Sequence, residues 1–471
     1  MRIAKAAACK DWGKVKSLQW IVTHSFFARV LAVKRVCSNK GARTPGVDGV
    51  VWKTPAQKMR GAMQLKRKGY KAMPLRRKLI KKKNGKNRAL GIPTIRDRAM
   101  QMLYLLALEP VAEVLADPNS YGFRPYRSCR DAISQCFVTL GKTVSPKWIL
   151  EADIKSCFDQ IDHQWLLTHI PTDRKVLSQW LKCGFVHNRK MYPTEAGSPQ
   201  GGIISPTLAN MTLNGLEQVV KLSHPKRLPG LRFKRSGINC IRYADDFIVT
   251  AARREILEDN VLPALNAFLE SRGLELSPEK THIVHIDEGF DFLGQNVRKY
   301  KGKLLIHPSK DSVKSFKDKI RQAFKAARGQ AANMLIQLLN PKISGWTHYH
   351  RCIPSAKTFS ILDTFLWVAS WKWARKRHEN KSRFWVAKRY FKLPKAEWQL
   401  SCYSESAKGT TKVLSLRRIW DTALVKYTKI KADANPFDSR YKEYFIMRRK
   451  SSNTKPFPAS IKPPVFRETK A

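Results

Sequence analysis

Apolar residues along the chain predict a helical beginning, a mixed middle and a largely helical second half. Over residues 1–40 they recur at helical spacing. In the middle, short apolar runs at Trp148–Ala152, Ile238–Tyr243 and Phe247–Ala251 are typical of buried strands. Helical patterns such as Arg98–Leu115 alternate with these runs, which predicts a core built from both helices and sheet.

A basic segment near the start predicts a β-hairpin. The sequence KLIKKKNGKNRALGIPT begins at Lys78, and Asn84-Gly85 is a favoured pair for a tight turn between two strands. Two further strands are predicted, one within residues 273–286 and one at Asp291–Val297. Gly41–Gly49 is predicted to be a loop because of its Gly and Pro content.

The second half of the chain mixes aromatic and basic residues. Ser312–Ala327 has the pattern of a basic amphipathic helix, and residues 343–395 carry Trp, Tyr, His, Lys and Arg at helical spacing. The pattern weakens after about residue 400, and the last twenty residues contain Pro456, Pro458, Pro463 and Pro464, which predicts an extended tail.

The charge balance indicates a polyanionic partner. The 471 residues, enough for two or three domains, include 89 Lys and Arg against 36 Asp and Glu, a formal net charge of +53. A compact chain with this excess repels itself unless a polyanion neutralises it, so nucleic acid is the leading partner and an acidic membrane surface the alternative. No apolar run reaches the ~18 residues of a membrane-spanning helix. The nine cysteines occur singly without a C-x-x-C pair, which favours reduced thiols over a zinc site or a disulfide framework.

Three carboxylates form the strongest chemical signal. Asp153 ends one predicted strand, and Asp245 and Asp246 lie between two others. Adjacent acids at a hairpin tip repel one another, and Mg²⁺ relieves that repulsion while using phosphate oxygens as further ligands. A pair of such ions can activate a 3′-hydroxyl and stabilise departing pyrophosphate. The alternative for Asp-Asp is ordinary turn chemistry. Asp159 and Asp162 are weaker candidates, since either could cap the helix predicted near His163.

Motifs in a fixed order resemble those of group II intron-encoded reverse transcriptases, which also act as maturases. The blocks are TPGVDG (44–49), NGKNRALGIPTIRDR (84–98), SYGFRP (120–125), ADIKSCFDQIDH (152–163), GSPQGGIISPTLANM (197–211), IRYADDFIV (241–249), LSPEKTHIVHI (276–286) and FDFLG (290–294). The resemblance implies an α+β right-hand polymerase, whose fingers and palm carry a small antiparallel sheet. An α-helical thumb or maturase domain and a small basic DNA-binding region would follow. The expected boundaries are residues 1–305, 306–399 and 400–471.

The resemblance also implies roles for individual residues. Asp153 and Asp245 would be the main ligands of two Mg²⁺ ions, with Asp246 as the third acid and Mn²⁺ as an alternative metal. Lys280 would donate a proton to pyrophosphate. The expected nucleotide-binding residues are Lys82, Arg88, Ile154, Phe158 and Gln200. Among these, Lys82 and Arg88 would hold the triphosphate, Phe158 would exclude a ribose 2′-hydroxyl, and Gln200 would contact the sugar or base.

Template and intron RNA would contact other residues. Arg124 is expected near the template or nucleotide, and Lys372, Arg375, Lys376 and Arg377 are expected to contact RNA in the maturase-like region. In that region LNPKISGWTHYHR (339–351) and LWVASWKWARKRHENKS (366–382) carry the likeness. Trp346, Trp367 and Trp371 are expected in the core rather than stacked on bases. The sequence departs from the family at Lys81 and Ala89, where Pro is usual, which predicts a looser hairpin.

The partners implied are intron RNA, an RNA template with a DNA primer, dNTPs and target DNA, with a homodimer as an open alternative and no membrane. NPFDSRYKEYF (435–445) resembles the approach to an endonuclease domain, but no His-Asn-His module follows, so second-strand cleavage is expected to be absent. Bacterial cytoplasm or nucleoid is the expected location, with an organelle as the alternative. Two other functions stay open: a splicing maturase with a vestigial polymerase, and a reverse transcriptase domesticated for defence or DNA repair.

Overall fold

The computed structural model describes residues 1–81, 85, 87–225, 236–394, 396–405, 411–450 and 454–456. The chain forms two compact units. Unit 1 contains Met1–His285 and Lys429–Met447, and unit 2 contains Ile286–Thr428 and the described part of the chain from Arg448 onwards. Within the described ranges, no helix is both long and apolar enough to cross a membrane. The division predicted at residues 305 and 399 stays a prediction.

Unit 1 contains most of the helices and two four-stranded sheets. Its helices are α1 (Arg2–Ala8), α2 (Trp12–His24), α3 (Phe26–Cys37), α4 (Pro55–Gln64), α5 (Ile95–Leu115), α6 (Cys129–Leu140), α7 (Cys157–Gln160), α8 (His163–His169), α9 (Arg174–Lys182), α10 (Ser205–Leu213), α11 (Leu216–Leu222) and α12 (Leu262–Glu270). Its strands are β1 (Leu75–Lys81), β2 (Asn87–Ile92), β3 (Trp148–Asp153), β4 (Phe185–His187), β5 (Lys190–Tyr192), β6 (Asn239–Tyr243), β7 (Asp246–Ala251) and β8 (His282–His285).

The central sheet has the strand order β6-β7-β3-β8, and all its neighbouring strands are antiparallel. The apolar runs that predicted these strands are its buried positions, since Ile149, Leu150, Phe247 and Val249 are at most 1% exposed. The predicted helical beginning is confirmed by α1–α3, and α3 packs on the nearly fully buried α5. Burial of that apolar helix joins the N-terminal helices to the core of the sheet.

The second sheet of unit 1 has the order β2-β1-β4-β5 and contains the predicted basic hairpin. Strands β1 and β2 pair antiparallel as far as Lys81 opposite Asn87. Asn84 and Lys82 lie outside the described residues, so the turn itself and the looseness expected there stay predictions.

Unit 2 has a helical core with small sheets. It contains α13 (Lys310–Ala326), α14 (Ala332–His350), α15 (Ala356–Arg377), α16 (Arg383–Tyr390), β9 (Phe290–Phe292), β10 (Gln295–Tyr300), β11 (Lys303–Pro308), β12 (Ser401–Glu405), β13 (Thr411–Ser415), β14 (Val425–Tyr427) and β15 (Thr454–Pro456). The last helix, α17 (Lys442–Lys450), begins in unit 1. Leu400, Leu416 and Ile419 are buried in the same core as α13–α16.

Two strand predictions were wrong in extent. Asp291–Val297 forms parts of two strands rather than one, because Leu293 and Gly294 both have positive φ, at 50° and 72°, and turn the chain between β9 and β10. Within residues 273–286 only β8 is regular strand, since Pro278–Lys280 forms a 3₁₀ turn. That turn is relevant to the site because Lys280 lies on it.

Candidate active site

The three predicted carboxylates meet at one end of the central sheet. Asp153 is the last residue of β3 and Asp246 the first of β7, and they are paired across the ladder. Tyr243 pairs with Asp246, so Ala244 and Asp245 form a two-residue turn between β6 and β7. The sheet register therefore brings together acids that are 92 positions or more apart in sequence.

The turn that carries Asp245 is conformationally strained. Ala244, its first residue, has φ of 60°, a left-handed conformation that costs a residue with a Cβ on the order of 1 kcal/mol or more. Ala244 is 8% exposed, whereas the side chain of Asp245 is half-buried. Such strain persists only where surrounding contacts fix the backbone.

The carboxylates disfavour one another's charged forms. The pKa of Asp246 is raised to about 7, mainly because its carboxylate is poorly solvated. Repulsion from Asp245 and a hydrogen bond with Asp153 raise it further. Burial also raises the pKa of Asp245, while Arg88 and Lys280 act in the opposite direction. A cluster of this kind binds a cation favourably because the cation removes the repulsion.

Lys280 occupies the edge of this cluster. Its Nζ lies 2.6 Å from Asp153 Oδ2, and this hydrogen bond is the main reason that the pKa of Lys280 is raised. The side chain is 64% exposed, so it can move away from Asp153 when other groups enter. The structure thus brings all four predicted catalytic residues together.

The donor chemistry fits Mg²⁺, although the described residues do not form a closed cage of three or more His, Cys, Asp or Glu side chains. Mg²⁺ commonly binds through one or two carboxylates, with water and substrate phosphates as further ligands. Asp153 and Asp245 are partly accessible and could supply such oxygens. A complete coordination shell would therefore need oxygens from substrate and water.

Two predicted nucleotide-binding residues also meet. Arg88 on β2 donates from Nε to Gln200 Oε1 at 2.7 Å, and Gln200 Nε2 donates to Asp159 Oδ2 at 3.2 Å. The backbone of Gln200 accepts from Gly91 N at 2.8 Å, and a Cβ at Gly201 would lie 2.7 Å from Gly91 O. Glycine thus permits the loop to approach the hairpin closely. The predicted partner Lys82 lies outside the described residues.

Phe158 lies at the start of α7, partly exposed and partly packed on the core. Its ring meets that of Phe123 edge-on, with centroids 6.2 Å apart. Sequence reasoning missed Phe123, which is 52% exposed with φ of 57°. Ile154 is 1% exposed, so its side chain is a core residue and only its backbone could face a nucleotide.

The prediction that Arg124 contacts template does not fit its position. Its guanidinium pairs with both carboxylate oxygens of Glu113 at 2.8 and 2.9 Å and donates to the carbonyls of Asp117 and Ser120. The side chains of Arg124 and Glu113 are 6% and 3% exposed. Arg124 therefore stabilises the fold of the SYGFRP segment. Asp162, one of the two capping residues predicted near His163, by contrast caps the N-terminus of α8.

The basic residues predicted to contact RNA lie at the end of α15 in unit 2. Lys372, Lys376 and Arg377 are exposed, and Arg375 is half-buried. Arg377 donates to Gln330 O at 2.7 Å and Arg375 to Lys381 O at 3.1 Å, so part of their hydrogen-bonding capacity is used within the unit.

The tryptophan prediction was correct for two residues and wrong for the third. Trp346 packs between Phe316 and Phe359, and Trp371 packs on Phe391. Trp367 is 39% exposed and stacks on Trp371 with centroids 5.9 Å apart. Trp367 and Trp371 lie one turn apart on the same face of α15, so helical spacing predicted the same environment for both.

Comparison with known proteins defines the class. Residues 80–297 match the family described as reverse transcriptase (RNA-dependent DNA polymerase), and residues 1–65 match the N-terminal domain of reverse transcriptase. Residues 313–391 match the maturase-specific domain of group II introns. The chain is a reverse transcriptase, an RNA-directed DNA polymerase with palm and fingers of the α+β right-hand fold.

Its relatives narrow the class. Protein YkfC of Escherichia coli is 33% identical over 307 residues, covering 56% of this chain and 79% of YkfC. Group II intron-encoded protein LtrA of Lactococcus lactis is 31% identical over 362 residues, covering 62% of this chain and 60% of LtrA. Maturase-like protein 1 of Euglena gracilis is 25% identical over 405 residues, covering 82% and 81%. The chain belongs to the group II intron-encoded reverse transcriptase and maturase family.

Proposed function

We propose that this chain extends a DNA primer on an RNA template by a two-metal mechanism and binds intron RNA to promote splicing and mobility. The observation that carries the polymerase proposal is the meeting of Asp153, Asp245 and Asp246 at one end of the central sheet. Asp153 and Asp245 would hold the ions, with Asp246 as the supporting acid.

Bound Mg²⁺ would supply Lewis-acid stabilisation of the attacking and leaving oxygens. Side chains of this protein would bind the nucleotide, select its sugar and assist the departure of pyrophosphate. Arg88 and Gln200, held together beside the cluster, would bind the nucleotide, and Phe158 would exclude the 2′-hydroxyl. Lys280, a cation in contact with Asp153, would neutralise or protonate departing pyrophosphate.

Intron RNA is proposed to bind unit 2, where Lys372, Lys376 and Trp367 are exposed on α15. Cations can contact phosphates and an accessible aromatic ring can stack on an unpaired base. Target DNA, dNTPs and a bacterial cytoplasmic or nucleoid location complete the proposal, and a homodimer stays an alternative. The match to the maturase-specific domain at residues 313–391 argues against a role in defence or repair. The presence of Asp153, Asp245 and Asp246 argues against a vestigial polymerase.

Primer extension tests the polymerase proposal. The wild-type chain, an RNA template, a DNA primer, dNTPs and Mg²⁺ should give extended product, and Asp245→Ala should give none. Asp259→Ala is the matched control, because Asp259 is an exposed acid in the π-helical turn Ile256–Val261. Absence of product with folded wild-type protein would refute the proposal.

A further inference from the structure

We infer that Arg242 is a positioning residue that holds the strained Ala244–Asp245 turn in the geometry needed for metal binding. The inference rests on the proposed function for its catalytic meaning, but the structural claim can be tested in metal-free protein. Arg242 precedes the turn by two residues on β6 and does not itself touch the expected substrate site.

Arg242 is buried behind the turn as a cation with mostly neutral partners. Its exposure is 2%. Nη1 donates to Asn210 Oδ1 at 3.2 Å and to Ala244 O at 3.4 Å, and Nη2 donates to Asn214 Oδ1 at 3.2 Å. The nearest acid is Asp117, whose Oδ2 lies 3.7 Å from Nη2. A buried cation is costly unless well-placed hydrogen-bond acceptors satisfy it. These contacts therefore hold the guanidinium in one orientation.

The contact with Ala244 O is what connects Arg242 to the active site. Ala244 has φ of 60°, and a carbonyl accepting from a fixed guanidinium stabilises one orientation of that peptide. Asp245 follows directly, so the direction of its carboxylate depends on the orientation of this peptide. A contact from the strand that leads into the turn therefore stabilises the strained conformation of Ala244.

The SYGFRP segment also packs against this turn. Asn210 Nδ2 donates to Gly122 O at 2.7 Å, which joins the segment to the partner of Arg242. A Cβ on Gly122 would lie 2.4 Å from Ala244 N, so glycine is needed for this approach. The backbone of Arg242 also pairs with this segment and with the residue before it. It donates to Asn119 O at 3.0 Å and accepts from Tyr121 N at 2.9 Å. Asn210 and Arg242 thus connect the turn to the SYGFRP segment through hydrogen bonds.

The first test uses Arg242→Lys, which keeps the charge but has one nitrogen instead of a planar fork. The matched control is Arg98→Lys: Arg98 is 7% exposed and donates to the carbonyls of Gly41 and Thr44, none of which contacts the turn. Amide hydrogen exchange in metal-free protein should accelerate across residues 239–251 in Arg242→Lys and stay at the wild-type rate there in Arg98→Lys.

Metal binding supplies the second measurement. Mn²⁺ titration followed by electron paramagnetic resonance, without nucleotide, should show affinity about 10-fold or more weaker in Arg242→Lys than in wild type, as for other residues that orient metal ligands. The Mg²⁺ concentration for half-maximal extension should rise by a similar factor, while primer–template affinity should not change. A lower melting temperature alone, with wild-type exchange and Mn²⁺ affinity, would overturn the inference.

A second variant covers the case in which Arg242→Lys is unstable. If Arg242→Lys does not fold, Asn210→Ala decides the question, since it removes an acceptor of Arg242 and the donor to Gly122. Faster exchange of the turn then supports the inference, and unchanged exchange overturns it. If wild type neither binds Mn²⁺ nor extends a primer, the proposed function fails, yet the exchange comparison still decides whether Arg242 positions the turn.

Discussion

Arg124 gives a sharp test because its sequence and its structure predict different phenotypes. If it contacts template, Arg124→Ala weakens primer–template binding and leaves the fold intact. In the structure it forms two charged hydrogen bonds with Glu113, and both side chains are almost fully buried. Removal of one partner leaves an uncompensated charge, at a cost of about 3–5 kcal/mol.

The cost converts into a measurable melting shift. For a unit of roughly 300 residues, 3–5 kcal/mol corresponds to about 5–8 °C in Tm. Differential scanning calorimetry should show this loss for Arg124→Ala and a similar loss for Glu113→Gln. The double variant Arg124→Met with Glu113→Leu should recover most of it, because no buried charge then remains. Fluorescence anisotropy below the transition should give wild-type affinity for primer–template. A native Tm with clearly weakened affinity would refute this account of Arg124.

Three further predictions concern other parts of the molecule. Phe158→Ala should raise incorporation of ribonucleotides relative to deoxynucleotides by about tenfold or more, or ~1.4 kcal/mol of discrimination; an unchanged ratio in single-nucleotide insertion assays would exclude a sugar-sensing role. Burial lowers the pKa of His350 from 6.5 to about 4, so the unfolded state takes up its proton first and stability falls as pH drops through this interval. The stabilisation that His350 loses by pH 5 is about 2 kcal/mol. Between pH 7.5 and pH 5, the unfolding free energy from urea titration should therefore change less favourably in wild type than in His350→Gln, by about this amount. Lys372→Ala and Lys376→Ala should each reduce the slope of log affinity for intron RNA against log salt by about 0.7–0.9, whereas an unchanged slope would place these residues outside the RNA contact.

The sequence predicted the acids of the site because their signal is local. Asp153 and Asp245-Asp246 end or interrupt apolar runs that are typical of buried strands, and the sheet register brings the three acids together. The register itself could not be derived from the runs. The shared role of the three acids was expected from the ordered motifs of the family rather than from periodicity.

The side chains of Arg124 and Ile154 differ from a simple interpretation of their motifs for another physical reason. Arg124 and Ile154 lie within motifs that adjoin the site, but sequence position does not reveal which side of the backbone faces the substrate. Arg124 pairs with Glu113 eleven residues earlier on α5. The side chain of Ile154 is buried in the core next to the acidic cluster, so its nucleotide-binding role stays a prediction for its backbone alone. Arg242 was overlooked for a similar reason, because a basic residue in a basic chain gives no signal that it is buried.

The role of Gly122 and the ends of the strands depend on backbone geometry, which the residue pattern shows only weakly. Gly122 belongs to a recognisable motif, yet its role depends on the 2.4 Å approach to Ala244 N. The single strand predicted at Asp291–Val297 failed because Leu293 adopts positive φ, which is uncommon for a residue with a branched side chain.

One paired measurement tests the central claim that polymerisation depends on the acids at the end of the central sheet, whereas RNA binding for splicing uses other surfaces. Wild-type, Asp245→Ala and Asp259→Ala proteins should be assayed for primer extension and for splicing of the cognate intron RNA in the same buffer. Asp245→Ala is expected to lose extension and to retain splicing close to that of Asp259→Ala. Retained extension, or loss of both activities in a folded Asp245→Ala protein, would contradict the central claim.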